Sequence, residues 1–292
     1  MPSIGILLAI GSLLSFAVGD FFIQKSTRKI GNWETLFFIG FAALIFLFPF
    51  VKDDAVKLFS ERPESAILIG ITVLVVFFAA LFNFEALKEG KIAVIEPILG
   101  IELPITIGLS IVLWNESITP AQGLLILAIF LGIILAITKH HTHLHYHKRI
   151  FEKGVVFAGI GAVGMGFSNF LTGVSSQNFS PLLAIWLIHS SIAIICLFYF
   201  LATGRIGTLF SGLHKYPLTI GIASFFDNAA WILFAFSASL VSISITTALT
   251  ESYIAFAVLL GIFVNKEKLK RHQVAGIALA TAGVIILSAI SS

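Results

Sequence analysis

Residues 115–122 read NESITPAQ, and 151 positions later residues 266–273 read KEKLKRHQ. Each stretch carries a glutamate and a glutamine 6 residues apart, and a glycine follows 10 residues after the glutamine. The two trios are Glu116, Gln122, Gly132 and Glu267, Gln273, Gly283. Each trio spans the turn between the fourth and fifth apolar segments of one half of the chain. This recurrence predicts an internal duplication, although two apolar regions can also match a three-residue pattern by chance.

The segments around these turns have the composition of membrane-spanning helices. Of the 292 residues, 58% are hydrophobic and 11% are charged, whereas a soluble domain carries about 25% charged residues. A spanning helix needs about 20 consecutive apolar residues. Ten stretches qualify, at 3–24, 33–51, 65–87, 92–114, 119–138, 154–175, 181–203, 216–238, 243–264 and 272–290. We therefore expect an all-α membrane protein with ten transmembrane helices in two five-helix repeats.

The charges indicate that the two repeats are inverted. Five helices is an odd number, so consecutive copies enter the membrane in opposite directions. The turn at 114–119 has no lysine or arginine, whereas its counterpart at 265–271 has four. Inverted repeats related by a two-fold axis in the membrane plane are common in transporters, with the binding site near the midplane.

Lysine and arginine predict the orientation. Alternate loops place 15 of the 18 basic residues on one side, and only Lys52, Lys57 and Arg62 on the other. The richer side is expected to be cytoplasmic, which puts both termini outside a multi-pass protein of the plasma membrane. Because the basic residues sit at helix ends, where lipid head groups also attract them, a nucleic-acid partner is not expected. The single cysteine, Cys196, excludes an intramolecular disulfide.

The predicted domains are a first repeat at 1–138, a cytoplasmic linker at 139–153 and a second repeat at 154–292. The linker contains a histidine cluster: His140, His141, His143, His145 and His147. Imidazole is a common metal ligand, and histidine-rich tracts can bind metal. The alternative is a solvated, mildly basic connector.

Six acidic residues lie within the apolar stretches without a basic residue beside them there. They are Asp20, Glu85, Glu96, Glu102, Asp227 and Glu251. A charged side chain at the centre of a bilayer costs at least ~2.5 kcal/mol, so such residues usually line a water-filled path or pair with one another. We therefore predict a negatively lined cavity. The acids can bind a cationic substrate or carry a proton, since burial disfavours the charged carboxylate. A third alternative is a static hydrogen bond to a neighbouring helix.

The predicted eighth span adds aromatic and amide groups to its acid. Asp227 and Trp231 are four residues apart and share a helical face, with Asn228 beside them. A carboxylate next to an aromatic face can hold an ammonium group, and the cation–π contribution is ~0.5–2 kcal/mol. Because the chain has 29 phenylalanines, aromatic neighbours are also expected by composition alone. His189, the one histidine at mid-span depth, is interpreted as a hydrogen-bonded packing residue.

The glutamate, glutamine and glycine pattern resembles the EamA-type drug/metabolite transporter superfamily. The resemblance rests on residues 114–119 and 265–270 and on Glu96 and Pro97, early in the fourth span. The second half departs from it with Ala248 where the first half has Pro97. The likeness covers nearly the whole chain. It implies a ten-helix alternating-access carrier whose cavity is lined mainly by spans 1, 3, 4, 6, 8 and 9, and it does not identify a substrate.

Together these features predict a secondary transporter that exports a small cationic or zwitterionic metabolite, with proton coupling left open. The alternative is a divalent metal-ion transporter that uses the acidic cavity and the histidine cluster. No H-E-x-x-H motif is present, and neither enzymatic activity nor a cofactor is expected.

Small residues in the last span (Gly276, Ala280) and in the fifth (Gly123, Gly132) can support a homodimer. Packing within the chain explains them equally well.

Overall fold

The computed structural model of the protein describes residues 2–61, 65–89, 98–137, 153–255 and 270–291. Within these ranges the backbone is helical apart from short turns, and no strand is present. The helices are α1 (Pro2–Ile30), α2 (Asn32–Glu61), α3 (Ser65–Glu89), α4 (Glu102–Trp114), α5 (Pro120–Ile137), α6 (Lys153–Asn178), α7 (Pro181–Ala202), α8 (Ile206–Lys215), α9 (Pro217–Leu240), α10 (Ile243–Thr250) and α11 (Arg271–Ser291). This confirms the all-α fold.

Every predicted span has a helix at its position among the described residues. Seven helices are long and apolar enough to cross a membrane, namely α1, α2, α3, α6, α7, α9 and α11, while α4 and α5 are shorter apolar helices. The ninth predicted span is described as helix over Ile243–Thr250, and its residues 256–264 lie outside the described ranges. Residues 92–97 of the fourth span do so too, so the full count of ten stays a prediction.

Two elements differ from the sequence-based prediction. Helix α2 continues ten residues beyond the predicted end at 51, to Glu61. Helix α8 was not predicted, because a ten-residue helix with one buried face fails a criterion based on 20 apolar residues. Its buried side chain Leu209 packs into the core cluster that contains Phe200 and Ile220. Helix α8 therefore packs one face against the helices that precede and follow it.

The contacts between helices follow a two-fold relation between the halves. Helix α1 packs against α9, and its counterpart α6 packs against α3, the counterpart of α9. Likewise α4 packs against α6, while α10 packs against α1. The remaining major pairs, α2 with α7 and α5 with α11, join equivalent helices across the halves. Exchanging the two halves thus reproduces the packing, which confirms the two inverted repeats.

Glu116, the glutamate of the first trio, forms hydrogen bonds between the first half of the chain and the second. Asn115 ends α4 in the left-handed region (φ 52°), and the carboxylate of Glu116 then faces the start of α10. It accepts hydrogen bonds from the backbone N–H groups of Ile243 (2.6 Å) and Ser244 (3.0 Å) and from the Ser244 hydroxyl (2.7 Å). A carboxylate at a helix N-terminus satisfies free N–H groups and complements the helix dipole.

We expect Glu116→Ala to lower the free energy of unfolding by about 1–3 kcal/mol, because it leaves N–H groups at the start of α10 without their acceptor. Thermal unfolding of the purified protein in detergent measures the change. Ser117→Ala is the matched control, since Ser117 is exposed on the same turn. Equal melting temperatures for the two variants would contradict the capping role.

The two glutamines of the repeat make equivalent bonds between α5 and α11. Each amide oxygen accepts from the backbone N–H three residues upstream, at 3.0 and 3.1 Å. The amide nitrogen of Gln122 donates to the Ser291 hydroxyl (3.2 Å), and that of Gln273 donates to the Ala136 carbonyl (3.2 Å). Each glutamine therefore caps its own helix and holds the far end of the partner helix.

The small residues of α5 and α11 bring the two helices into backbone contact. A Cβ atom at Gly132 would lie 2.6 Å from the Ala280 nitrogen and 2.8 Å from the Gly276 carbonyl oxygen. At Gly123, by contrast, no described atom outside its own helix backbone lies within 4 Å of such a Cβ position. Gly132, Gly276 and Ala280 are thus used for packing within the chain. The homodimer stays a prediction and gains no support from them.

Candidate functional site

A cavity lies where the two halves meet, between helices of both repeats. Its wall carries one histidine, two asparagines and four acidic side chains. These residues are Asp20, Asn83, Glu102, Asn169, His189, Asp227 and Glu251. No lysine or arginine is among the described residues that line it. The predicted negatively lined cavity is therefore present among the described residues.

The cavity is small in this conformation. The space open to the centres of water molecules is about 60 Å³, and one water needs about 10–15 Å³ by this measure. A few water molecules therefore fit. An organic cargo requires side chains or helices to move apart, as expected when a carrier alternates between conformations.

Acidic and amide side chains of both repeats line the same cavity. Glu102 and Glu251 are 149 positions apart, as are Asp20 and Asn169. The first pair consists of two acids, whereas the second pair consists of an acid and an amide.

The Glu102 and Glu251 carboxyl groups contact each other in a buried environment. Both residues are at most 5% exposed, and their carboxyl groups are close enough to hydrogen-bond once one of them carries a proton. Asn169 Nδ2 donates to Glu251 Oε1 (3.1 Å), while Glu251 Oε2 is buried and accepts from no donor among the described residues. Two adjacent carboxylates repel, and a shared proton or a bound cation relieves that repulsion.

Asp20 and Asp227 lie beside a group of aromatic rings. The Tyr253 hydroxyl hydrogen-bonds to the Asp20 carboxyl group. The Phe16 ring is 5.4 Å from Trp231, edge to face, and 5.7 Å from Tyr253. Carboxylates next to aromatic faces form a suitable environment for an organic ammonium group.

Close packing of α1 on α9 sets the positions of these two aspartates. A Cβ atom at Gly19 would lie 3.5 Å from the backbone nitrogen of Asp227. The Ser12 hydroxyl donates to the Ala230 carbonyl (2.8 Å), one turn further along. A small residue and an interhelical hydrogen bond thus hold the two backbones together next to the acids.

His189 lies on the cavity wall, which the sequence did not indicate. Its Nδ1 is 2.8 Å from Asn228 Oδ1. Asn228 in turn donates from Nδ2 to the carbonyls of Ile39 (3.0 Å) and Ser224 (2.8 Å). His189 is hydrogen-bonded, as predicted. It also lines the cavity, which the interpretation of His189 as a packing residue did not include. Asn228, expected as a binding residue, is not on the wall and contacts the cavity through His189.

Glu85 departs from the predicted set. It is absent from the cavity wall, and it contacts the Asn32 amide and Lys88, whose Nζ is 3.7 Å away. The apolar stretch itself holds no basic residue, but one from just beyond its end pairs with Glu85. The cause is that Lys88 follows directly after the predicted end of the span at 87, within one helical turn of Glu85.

Several predicted residues lie outside the described ranges. Glu96 and the five histidines at 140, 141, 143, 145 and 147 belong to them. Within the described ranges, no group of three or more histidine, cysteine, aspartate or glutamate side chains is arranged to hold a metal ion.

Helices α2 and α7 also line the cavity, besides those that the resemblance implied. Leu36 and Ile39 come from α2, and His189 and Ile192 come from α7. Gly40 of α2 lies against the backbone carbonyl of His189, which allows the two helices to approach closely. Reasoning from acids alone missed both helices, because neither contributes a carboxylate to the wall.

Comparison with known proteins agrees with this architecture. The sequence pattern of the EamA-like transporter family matches residues 3–138 and 152–289, one match in each half. A protein of known crystal structure is 15% identical, with a TM-score of 0.66 and coverage of 98% of both chains; at this identity the likeness shows the fold alone. No curated protein sequence matches the chain. The two family matches, the apolar helices and the exchange of packing between the halves lead to one conclusion: the chain is a multi-pass membrane protein that belongs to the EamA-like transporter family.

Proposed function

We propose that the protein exports a small organic cation or zwitterion in exchange for protons, by alternating access. The observation that carries the proposal is the grouping of four carboxyl groups in one buried cavity without lysine or arginine on the described wall. A low-dielectric site lined by one sign of charge attracts the opposite sign. Buried acids in transporters commonly serve as ion or proton sites.

In this proposal the cationic group of the cargo binds between Asp20 and Asp227. The rings of Phe16, Trp231 and Tyr253 surround it there and add cation–π attraction of ~0.5–2 kcal/mol. Apolar parts of the cargo contact the wall from α2 and α3, where Leu36 is among the lining residues. This site favours an organic amine with a hydrocarbon portion.

The proton binds to the pair formed by Glu102 and Glu251. In the empty carrier one proton bridges the two carboxyl groups, so that the carrier can change conformation without two adjacent negative charges. On the cytoplasmic side the O–H bond breaks and the proton passes to water. The site then favours the cargo cation electrostatically. On the outer side the cargo leaves and a proton from outside restores the bridge.

The orientation is part of the same proposal. The side that holds 15 of the 18 lysine and arginine residues faces the cytoplasm of a cell bounded by the plasma membrane. Both termini then lie outside. Zwitterionic cargo fits if its anionic group stays away from the four carboxyl groups of the cavity. The metal-ion alternative has no support from the described residues, and the same assay tests it.

We expect purified protein in liposomes to move alkylammonium ions when a pH gradient is imposed across the membrane. The half-saturation concentration should fall about fourfold for each added methylene over the first few members of the series, because each buried CH₂ contributes about 0.8 kcal/mol. Radiolabelled uptake measures both. Zinc and an organic anion of similar size are the comparison cargoes. Transport that ignores the gradient removes the proton coupling, and preference for zinc or the anion removes the organic-cation assignment.

A further inference from the structure

We propose that His189 binds the cargo directly, by presenting Nε2 to the cavity as a hydrogen-bond acceptor for an N–H group. This inference rests on the proposed function and adds to it a residue on α7, a helix without acids on the cavity wall. It also places the donor group of the cargo against the second repeat. The argument starts from the hydrogen bonds behind the ring.

The amide of Asn228 is held in one orientation by the backbone. Its nitrogen donates to two carbonyls, those of Ile39 on α2 (3.0 Å) and Ser224 on α9 (2.8 Å). Both donor positions of the NH₂ group are then used. The amide oxygen, which only accepts, must therefore face His189 at 2.8 Å.

This orientation decides the tautomer of the histidine. An acceptor at 2.8 Å from Nδ1 requires that Nδ1 carries the hydrogen and donates. In the neutral imidazole the other nitrogen, Nε2, is then an acceptor. Because Asn228 occupies the Nδ1 edge of a ring that lines the cavity, Nε2 is the ring nitrogen available to the cargo.

Neighbouring groups make this acceptor part of a polar wall. The ring of His189 lies 6.5 Å from Trp231, edge to face, and Trp231 is one turn from Asp227 on α9. An ammonium or guanidinium group in contact with Asp227 can direct a second N–H towards Nε2. Several donors on one cationic nitrogen would thus be satisfied at once.

The first repeat does not reproduce this group of His189, Asp227 and Trp231. Its equivalent positions, 149 or 151 residues earlier, carry no polar side chain: Gly40 for His189, Val76 for Asp227 and Ala80 for Trp231. All of these residues line the cavity. The duplicated backbone therefore places a histidine, an acid and a tryptophan on the second repeat where the first repeat has Gly40, Val76 and Ala80. The polar lining residues of the first repeat are Asp20, Asn83 and Glu102.

The substitutions His189→Asn and His189→Gln separate the two edges of the ring. Asparagine places its amide near the position of Nδ1 and keeps the bond to Asn228, but it has no group near Nε2. Glutamine reaches the position of Nε2 and gives up the bond to Asn228. Binding of butylammonium is measured by tryptophan fluorescence and by transport in liposomes, with the melting temperature of each variant as a check on folding.

We expect His189→Asn to raise the dissociation constant for butylammonium about tenfold, since it loses one hydrogen bond to a charged donor. His189→Gln should stay within about threefold of the wild type. The reverse order, with asparagine equal to wild type and glutamine impaired, would overturn the inference and assign His189 to packing through Asn228. Wild-type affinity in both variants would overturn it as well. A wild-type protein that binds butylammonium but does not transport it contradicts the proposed function and leaves this comparison valid, whereas a wild type that binds no amine overturns both.

Discussion

Glu251→Gln should abolish transport of organic amines driven by a pH gradient, with a loss of at least about tenfold, while cargo exchange at equal pH on both sides continues. Glutamine keeps the shape of the side chain and the contact with Asn169, but it cannot exchange a proton. The pair with Glu102 then loses its shared proton, and the coupled step stops. Uptake into liposomes with and without a gradient, together with counterflow of labelled cargo, measures the two activities separately.

Two further variants sharpen this test. Asp227→Asn removes a carboxylate from the proposed cargo site, so both gradient-driven transport and exchange should fall. Asp53→Asn removes an exposed acid of α2 and should change neither. If Glu251→Gln loses exchange as fully as Asp227→Asn does, then Glu251 binds the cargo and the assignment of the proton to the glutamate pair is wrong.

Gly132→Ala should lower the free energy of unfolding by about 2–3 kcal/mol, the upper part of the range for overpacked sites. The added Cβ atom would lie 2.6 Å from the nitrogen of Ala280 and 2.8 Å from the carbonyl oxygen of Gly276. Both are backbone atoms of α11, so no side chain can rotate away and the helices must separate. Thermal unfolding in detergent and the yield of monodisperse protein measure the loss.

Gly123→Ala on the same helix is the matched control. Among the described residues, no atom outside the backbone of α5 itself lies within 4 Å of the new Cβ position there, and alanine favours helix more than glycine does. Its stability should therefore equal or slightly exceed that of the wild type. A Gly132→Ala protein as stable as the Gly123→Ala protein would show that the close contact of α5 and α11 is not needed for folding.

Much of the fold was predictable because it depends on local composition. Apolar segments of spanning length, the trio of Glu116, Gln122 and Gly132 with its copy, and the reversed charge at the two turns all predicted an inverted duplication. The helices and their packing agree with that prediction. Helix α8 was missed, because ten residues with a single buried face carry no signal that a search for spans can detect.

The candidate site was predictable in part. Acids at membrane depth are costly wherever they occur, and four of the six predicted ones share the cavity wall. Glu85 could not be assigned by depth alone, because Lys88 reaches it from the next turn. His189 could have been suspected from its position at mid-span, but its role depends on which way Asn228 points.

The amino-acid sequence by itself determined that this chain spans a membrane and that carboxyl groups lie within its spans. It also determined that the two halves of the chain insert in opposite directions. Each of these follows from the hydropathy, charge and spacing of neighbouring residues. Only the tertiary structure decided that Glu102 meets Glu251 and that Asn228 orients His189. Those contacts join residues that are 149 and 39 positions apart. The first exists because the two repeats pack against each other, and the second because α7 packs against α9 within the second repeat.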